Sequence, residues 1–258
     1  RFVPLSGNQT GVLLLDYLIG AKQRTGKMPA NPVALKTIVT TEMARKVAET
    51  NGLKSYDTFT GFKFLAEKKD KLENAGEGKV IFAYEESYGY MLGDYVRDKD
   101  AVTAALSLTE MAAWYAGQGM TLYDALLACY EKYGYYKDAV KSIGLSGIEG
   151  LAKIQSIMET LRNNTPKEVG GYKVVSARDY KLDTIKDMAS GEVKPTGLPS
   201  SNVLYYDLND GAWICVRPSG TEPKIKFYYG IKGSSMEDAD AKSEALGAAV
   251  MAMVDKMM

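Results

Sequence analysis

The feature that most constrains the fold is an alternation of helix-like and strand-like segments through the first two-thirds of the chain. Apolar residues at three- and four-residue spacing predict a helix over Gly11–Ile19, and β-rich runs follow at Leu35–Val39 and Val80–Tyr84. Further segments are predicted as a strand over 54–59 and as helices over 41–51, 62–75, 101–116 and 121–133. Strands separated by helices form βαβ units, so we expect a mixed, mostly parallel, three-layer α/β/α domain.

The pattern changes after about Asn164. Loop-forming residues dominate 167–171 and 190–202, and strand-like runs are predicted at 172–177, 203–207, 213–216 and 225–231. A helix over 236–257 closes the chain. Strands with covering helices are typical of a small α+β domain, here with an antiparallel sheet. We therefore expect an α/β protein of two domains, residues 1–167 and 168–258.

Composition excludes several classes of function. The 32 basic and 32 acidic side chains cancel, so no nucleic-acid partner is expected. Histidine is absent, which excludes His-ligated zinc and His acid–base catalysis within this chain. The apolar runs are too short to span a bilayer, so no membrane partner is expected either. Cys129 and Cys215 lie far apart, which fits buried thiols in a reduced, cytoplasmic setting.

An anion-binding pattern lies between two late strand-like runs. Arg217 offers forked donors, Ser219 and Thr221 offer hydroxyls, and Gly220 allows backbone N–H groups to approach an oxyanion. Lys226, in the next strand, would add a second positive charge. The pattern predicts a phosphate site, although a polar hairpin with local turn bonds has the same composition.

Polar residues also follow the predicted strand 80–84. Ligands of open α/β sheets bind beyond the carboxyl ends of strands, which is where Glu85, Glu86 and Ser87 are expected. Two carboxylates and a hydroxyl suit a ligand with many hydroxyl groups. A metal site and a solvated loop remain open as alternatives.

Two further candidates carry less information. Thr60 and Gly61 lie at a strand-to-helix junction, whose backbone N–H groups suit an anion or a hydroxyl, as would an ordinary helix cap. Residues 93–100 precede a predicted helix, and Lys99 is best placed there to face a ligand. Asp98 or Asp100 is expected to be the N-cap of that helix.

Together and in this order, these segments resemble the α-D-phosphohexomutase family, which includes phosphoglucomutases and phosphomannomutases. Glu85–Gly89 resembles the sugar-specificity loop of the family's third domain, commonly written G-E-x-S-G, and Arg217–Thr221 resembles the phosphate loop of its fourth domain. Ser6–Gly11 is similar to the entry into the third domain, and Thr60-Gly61 to another of its substrate loops. The run 96–100 also matches members closely, and the resemblance covers essentially the whole chain.

The resemblance implies roles for these residues. In the family, a phosphoserine donates its phosphoryl group to a sugar monophosphate, the resulting bisphosphate reorients, and the serine recovers the other phosphate. Glu85 and Ser87 would bond hydroxyls of the sugar, Thr60 and Gly61 would contact the substrate, and Lys99 would contact the sugar or assist proton transfer. A clamp would hold the non-reacting phosphate through Arg217, Ser219, Gly220, Thr221 and Lys226.

The family's catalytic loops are missing from this sequence. Neither a T-A-S-H-N-P-like serine loop nor a D-G-D-x-D-R-like magnesium loop occurs, and Arg1 is expected to be an internal position of a longer protein. The resemblance therefore implies the C-terminal half of a Mg²⁺-dependent mutase that acts on hexose phosphates. It also implies a glucose 1,6-bisphosphate-type activator and a need for the N-terminal domains, so this chain alone is expected to be inactive. The alternative is a stand-alone, non-catalytic sugar-phosphate-binding module.

Two departures from the family pattern accompany this resemblance. Tyr84 and Tyr88 stand where many members have Gly, and the surrounding run looks most like the larger bacterial phosphoglucomutase/phosphomannomutase branch. The retained Ser87 favours hexose phosphates over the phosphopentoses used by related enzymes.

Overall fold

The structure is a computed structural model that describes residues 2–220 and 222–258, and the chain divides into two compact units. The first unit ends at Gly134, and the second is Tyr135–Met258. This division lies earlier in the chain than the predicted boundary between residues 167 and 168. The strand that begins at Tyr135 pairs along its whole length with a strand near the C-terminus, which places it in the second unit.

In the first unit, helices and strands alternate as predicted. The helices are α1 (Gly7–Arg24), α2 (Glu42–Thr50), α3 (Phe62–Asn74), α4 (Ala101–Ala116) and α5 (Leu122–Tyr133). The strands are β1 (Pro32–Thr37), β2 (Lys54–Thr58), β3 (Lys79–Glu85) and β4 (Gly89–Met91). The sheet order is β2-β1-β3-β4, in which β1 is parallel to β2 and β3, and β4 is antiparallel to β3. The predicted mixed, mostly parallel sheet is confirmed.

Helix ends in this unit follow local capping chemistry. Ser6 caps α1 in a reciprocal capping box with Gln9, and the Thr41 side chain caps α2. The Asp100 carboxylate accepts the backbone N–H groups of the first turn of α4 at 3.0 and 3.3 Å. The predicted starts of α2 and α4 are therefore confirmed, with Asp100 as the cap of α4.

The two faces of this sheet are covered by different helices. Val33 and Leu35 of β1 pack in a buried cluster with Phe62 and Leu65 of α3. The alternate residues of β1 and β3 point to the other face, where Tyr84 meets Gly11 of α1. Helices on both faces make the three layers that the alternation predicted.

The second unit is built on an antiparallel sheet. Its strands are β5 (Tyr135–Gly144), β6 (Glu168–Val169), β7 (Tyr172–Asp179), β8 (Thr184–Asp187), β9 (Val193–Lys194), β10 (Leu204–Leu208), β11 (Trp213–Pro218) and β12 (Lys224–Gly233). Its helices are α6 (Gly147–Asn163) and α7 (Met236–Asp255). The sheet order is β5-β12-β11-β10-β7-β8-β9, with β6 paired to β7. The predicted α+β arrangement is confirmed.

One face of this second sheet forms the core of the unit. Ile225, Phe227 and Tyr229 alternate along β12 into a buried cluster that contains Leu246 and Val250 of α7. Residues of α6, such as Ile157, complete this cluster. The strand predicted over 225–231 is thus found within β12.

Two expectations from composition concern thiols and membranes. Cys129 and Cys215, both among the described residues, are buried thiols, as predicted. Within residues 2–220 and 222–258, no helix combines the length and the apolar character needed to cross a bilayer.

Phe227→Ala tests the core of the second unit. Because Phe227 is 0% exposed, the truncation should lower the free energy of unfolding by about 3–5 kcal/mol. Each unit contains one tryptophan, so the fluorescence of Trp213 during urea unfolding, in a Trp114→Phe background, reports this unit alone. Val140→Ala on β5 is the control, since Val140 is 50% exposed. Equal losses in the two variants would contradict the described core.

Candidate functional site

The carboxyl ends of the parallel strands bring three connecting segments to one edge of the first sheet. The β1–α2 turn (residues 38–41) follows β1, the Thr60-Gly61 junction follows β2, and the carboxylate loop (Glu85–Gly89) follows β3. The backbone N–H of Ile38 donates to the carbonyl of Thr58 at 2.9 Å, which ties the first two ends together. Sites of open α/β sheets occupy this edge.

Glu85 and Gly61 are in direct contact. The side chain of Glu85 is only 7% exposed, and its Oε1 accepts a hydrogen bond from the backbone N–H of Gly61. Gly61 is the N-cap of α3 and has a φ of 117°, a conformation that favours glycine. The carboxylate therefore lies at the positive end of the α3 dipole, which stabilises its charge. Two of the predicted substrate residues are thus neighbours.

Ser87 and Tyr88 form the exposed part of the carboxylate loop. Tyr88 has a φ of 64°, and its hydroxyl donates to the carbonyl of Leu5 at 3.1 Å. The Ser87 hydroxyl is therefore carried on a tight, anchored turn, one residue from Glu86 and two from the buried carboxylate of Glu85.

Lys99 lies beside the same loop. A Cβ atom added to Gly89 would come within 2.5 Å of the Phe62 ring and 3.3 Å of Cδ of Lys99. The Lys99 ammonium lies 5.5 Å from the centre of that ring and 3.3 Å from the Asp98 carboxylate. Because this ion pair is exposed, it holds the ammonium only weakly.

The N-terminal end of α1 packs closely against the carboxylate loop. A Cβ atom on Gly7 would come within 2.1 Å of the Glu86 carbonyl oxygen, and one on Gly11 within 2.1 Å of the Tyr84 ring. The Tyr90 hydroxyl donates to the carbonyl of Gly7 at 3.0 Å. The two glycines let the helix backbone approach the loop more closely than any other residue would allow.

A buried charge cluster that the sequence analysis missed lies behind the β1–α2 turn. Lys36 of β1 is 1% exposed, and its Nζ lies 2.7 Å from Oε1 of Glu42 and 3.1 Å from Oδ1 of Asp57. Arg45 also pairs with both carboxylates. The signal that could have revealed this cluster is a lysine that directly follows the apolar run 32–35 within a predicted strand.

The protonation of this cluster follows from burial and charge. Burial alone would lower the pKa of Lys36, but Asp57 and Glu42 outweigh it and raise that pKa above its ordinary value. Burial alone would raise the pKa of Glu42, but Lys36 and Arg45 outweigh it and lower that pKa to about 2. Lys36 and Glu42 are therefore both charged at neutral pH.

In the second unit, the predicted phosphate residues gather on one hairpin. Arg217 of β11 and Lys226 of β12 are cross-strand partners, so their half-buried side chains stand side by side on one face of the sheet. Among the described residues, no carboxylate forms an ion pair with either of them. The backbone N–H of Ser219 donates to the Lys224 carbonyl at 2.7 Å, and Gly220 is exposed at the tip. Thr221 lies outside the described residues.

An anion is the natural complement of this hairpin. Two like charges at directly opposed positions repel each other, and a bound oxyanion would relieve that repulsion. No comparable arrangement exists for a cation, since the described part of the chain contains no group of three or more Cys, Asp or Glu side chains placed to hold a metal ion.

Two family models match the chain. Residues 6–133 match the phosphoglucomutase/phosphomannomutase alpha/beta/alpha domain III, and residues 154–248 match the phosphoglucomutase/phosphomannomutase C-terminal domain. The chain belongs to the phosphoglucomutase/phosphomannomutase family. The identification from the order of the sequence motifs is confirmed.

Individual relatives agree with this assignment. Over 241 residues the chain is 36% identical to the phosphoglucomutases of Staphylococcus aureus strains bovine RF122 / ET3-1 and MSSA476, which covers 93% of this chain and 42% of each relative. The chain thus spans less than half the length of these phosphoglucomutases.

Solved structures of the family share the fold. The open form of pp63/parafusin, a phosphoglucomutase from Paramecium, has a TM-score of 0.63 at 18% identity over 99% of this chain and 42% of that chain. A phosphoglucomutase/phosphomannomutase family protein from Burkholderia thailandensis has a TM-score of 0.53 at 15% identity over 96% and 42%. Both similarities concern the fold alone.

Gly7→Ala tests the close approach of α1 to the carboxylate loop in this family member. The added methyl group should cost roughly 1–3 kcal/mol of unfolding free energy, because the Glu86 backbone cannot retreat easily. Gly20→Ala in the same helix is the control, and should stabilise by up to about 1 kcal/mol because only the mobile end of Arg24 is near. Trp114 fluorescence during urea unfolding, in a Trp213→Phe background, measures both. Stabilisation by Gly7→Ala would contradict the packing described here.

Glu42→Gln tests the buried charge cluster through its pH dependence. Since folding lowers the pKa of Glu42 from 4.5 to about 2, its contribution to stability is full above pH 4.5 and is lost as the pH falls toward 2. The variant should be less stable at neutral pH and should lose less stability than the wild type across that range. Glu67→Gln, which breaks only the exposed pair with Lys71, should leave the wild-type profile unchanged. A wild-type pH profile in Glu42→Gln would refute the ion pairing.

Proposed function

We propose that this chain is the sugar-recognising and phosphate-holding part of a phosphohexomutase. The full-length enzyme would interconvert hexose 1-phosphate and hexose 6-phosphate through a phosphoserine and a bisphosphate intermediate. The observation that carries the proposal is the Arg217–Lys226 cross-strand pair, which lies in the matched C-terminal family domain without a carboxylate partner among the described residues.

The phosphate would be held at the tip of the β11–β12 hairpin. The Arg217 guanidinium can donate two parallel hydrogen bonds to a phosphoryl group, and the Lys226 ammonium adds charge from the next strand. The Ser219 hydroxyl and the backbone N–H of the exposed Gly220 would donate to the same oxyanion, and Thr221 completes the proposed clamp. Such a site recognises the phosphate and is indifferent to the sugar attached to it.

The sugar would be recognised at the carboxylate loop. Oε1 of Glu85 is taken by the Gly61 N–H, whereas its Oε2 accepts no hydrogen bond from the described residues. That oxygen can accept from one sugar hydroxyl, and the exposed Ser87 hydroxyl can bond to a neighbouring one. Backbone groups of Thr60 and Gly61 border this position, and Lys99 is near enough to contact the sugar or to assist proton transfer.

Binding through these groups would serve catalysis by positioning. When a fixed clamp holds the non-reacting phosphate and a loop accepts the sugar in two flipped poses, either phosphate can be presented to the same reactive group. Binding energy from the unreactive end then orients the reacting end, which lowers the barrier rather than only raising affinity.

The chemical step would depend on groups that other domains supply. Mg²⁺ would provide Lewis acidity at the transferred phosphoryl group, but the described residues contain no ligand set that fits it. A glucose 1,6-bisphosphate-type activator would occupy the same sugar and phosphate positions as the reaction intermediate. We propose a cytoplasmic setting for the enzyme and no turnover by this chain alone.

Calorimetric titration of the chain with glucose 1-phosphate, glucose 1,6-bisphosphate and unphosphorylated glucose tests the proposal. Of these three ligands, only the two phosphosugars should bind. Arg217→Ala should weaken their binding free energy by about 1.5–3 kcal/mol, the contribution of hydrogen bonds to a charged group. Lys232→Ala is the matched control, because it removes an exposed cation from the same strand near the Tyr136 ring.

Glu85→Gln is the second arm of the same titration. It keeps the shape of the side chain but removes its charge, so the affinity for phosphosugars should fall. The affinity for inorganic phosphate, added as a fourth titrant, should stay unchanged. Phosphosugar binding that neither Arg217→Ala nor Glu85→Gln weakens would refute the assignment of both sites.

A further inference from the structure

The β1–α2 turn is buried, which is unusual for a connecting segment. Ile38, Val39, Thr40 and Thr41 are all at most 3% exposed. Buried backbone carbonyls need hydrogen-bond partners inside the protein, since water does not reach them. The backbone supplies one donor, the N–H of Thr40 to the Thr37 carbonyl at 3.0 Å, so the remaining donors come from neighbouring side chains.

Lys36 supplies those donors. Its ammonium donates to the carbonyl of Thr37 at 3.3 Å and to the carbonyl of Thr40 at 3.1 Å, while Glu42 and Asp57 balance its charge. One buried cation thus holds both ends of the turn. A neutral side chain of the same length would leave these two carbonyls without that donor.

The β1–α2 turn also contacts the carboxylate loop. The hydroxyls of Thr37 and Thr40 lie 2.8 Å apart and share one hydrogen bond, and Oε2 of Glu86 lies 3.5 and 3.4 Å from them. The hydroxyl that does not donate to its neighbour therefore donates to Glu86. Asn8 of α1 accepts the backbone N–H of Thr41 at 3.1 Å, which fixes the turn from the other side. Glu86 lies between Glu85 and Ser87, so a displacement of Glu86 moves both neighbours through the backbone.

We propose that Lys36 is a positioning residue for the carboxylate loop. By fixing the β1–α2 turn, it holds the hydrogen-bonded pair of threonine hydroxyls against Glu86 and so keeps Glu85 and Ser87 in place. What the loop recognises rests on the proposed function, whereas the positioning itself does not.

Lys69 provides the comparison that separates positioning from stability. Lys69 of α3 is 4% exposed and pairs with two carboxylates, Glu73 at 2.6 Å and Asp94 at 2.8 Å, as Lys36 pairs with two. Glu73 also binds the backbone N–H of Val80, at the start of β3, so this cluster lies at the opposite edge of the sheet. Lys36→Met and Lys69→Met therefore remove equivalent charges from different places.

Hydrogen–deuterium exchange of the whole chain, read by mass spectrometry on peptides that cover 85–92, tests the proposal without any ligand. Lys36→Met and Thr40→Val should speed exchange in the loop by about tenfold, the effect expected for one hydrogen bond to a charged group. Lys69→Met should leave loop exchange unchanged although it lowers stability. Thr40→Ser retains the hydroxyl and should exchange like the wild type.

Titration with glucose 1-phosphate and with inorganic phosphate supplies the second readout. Lys36→Met should lower the affinity for glucose 1-phosphate about tenfold. It should leave the affinity for inorganic phosphate unchanged, because the phosphate hairpin lies in the other unit. A wild-type chain that binds no phosphosugar would count against the proposed function, and loop exchange would still decide the positioning role.

Loop exchange in Lys36→Met that equals that in Lys69→Met would overturn the proposal. If Lys36→Met does not fold, loop exchange is compared between Thr40→Val and Thr40→Ser instead. Both variants leave the charge cluster intact, so this comparison tests the proposal by itself. Identical loop exchange in those two variants would overturn it as well.

Discussion

The parallel pairing of β1 with both β2 and β3 is the constraint on which the first unit depends. It places the carboxyl ends of the three strands at one edge, so the β1–α2 turn, Gly61 and Glu85 become neighbours although they lie far apart in sequence. The contact between the Glu85 carboxylate and the Gly61 N–H follows from that pairing. The candidate sugar site is therefore a product of the sheet topology.

A buried cation at this edge would be destabilising if its charge were not compensated by neighbouring groups. Removing one partner from a buried ion pair leaves an uncompensated charge, which costs about 3–5 kcal/mol. Lys36 has two carboxylate partners and two carbonyl acceptors, so its charge is fully satisfied. An apolar residue would fill this strand position more simply, which makes the contacts of Lys36 with the turn the feature that needs a functional explanation.

In the second unit, the buried cluster and the two candidate phosphate-binding cations lie on opposite faces of the sheet. The face with Phe227 and Ile225 is buried under α6 and α7, and its apolar cluster stabilises the unit. Arg217 and Lys226 alternate with those residues and so fall on the other face, at the end where the β11–β12 hairpin turns. A rigid hairpin of this kind can hold two repelling cations close together, ready for an oxyanion.

Local patterns in the sequence were enough to predict most helices, the strands β1, β3 and β12, and the family, since periodicity, caps and the order of short motifs depend on neighbouring residues alone. They also predicted Glu85, Gly61 and Arg217 as site residues. Strand β5 was missed because it is a polar edge strand with no buried residue, and only its pairing with β12 makes it a strand. Lys36, Gly7 and the contact of Thr40 with Glu86 were missed because long-range packing decides which distant side chain or backbone atom each of them meets.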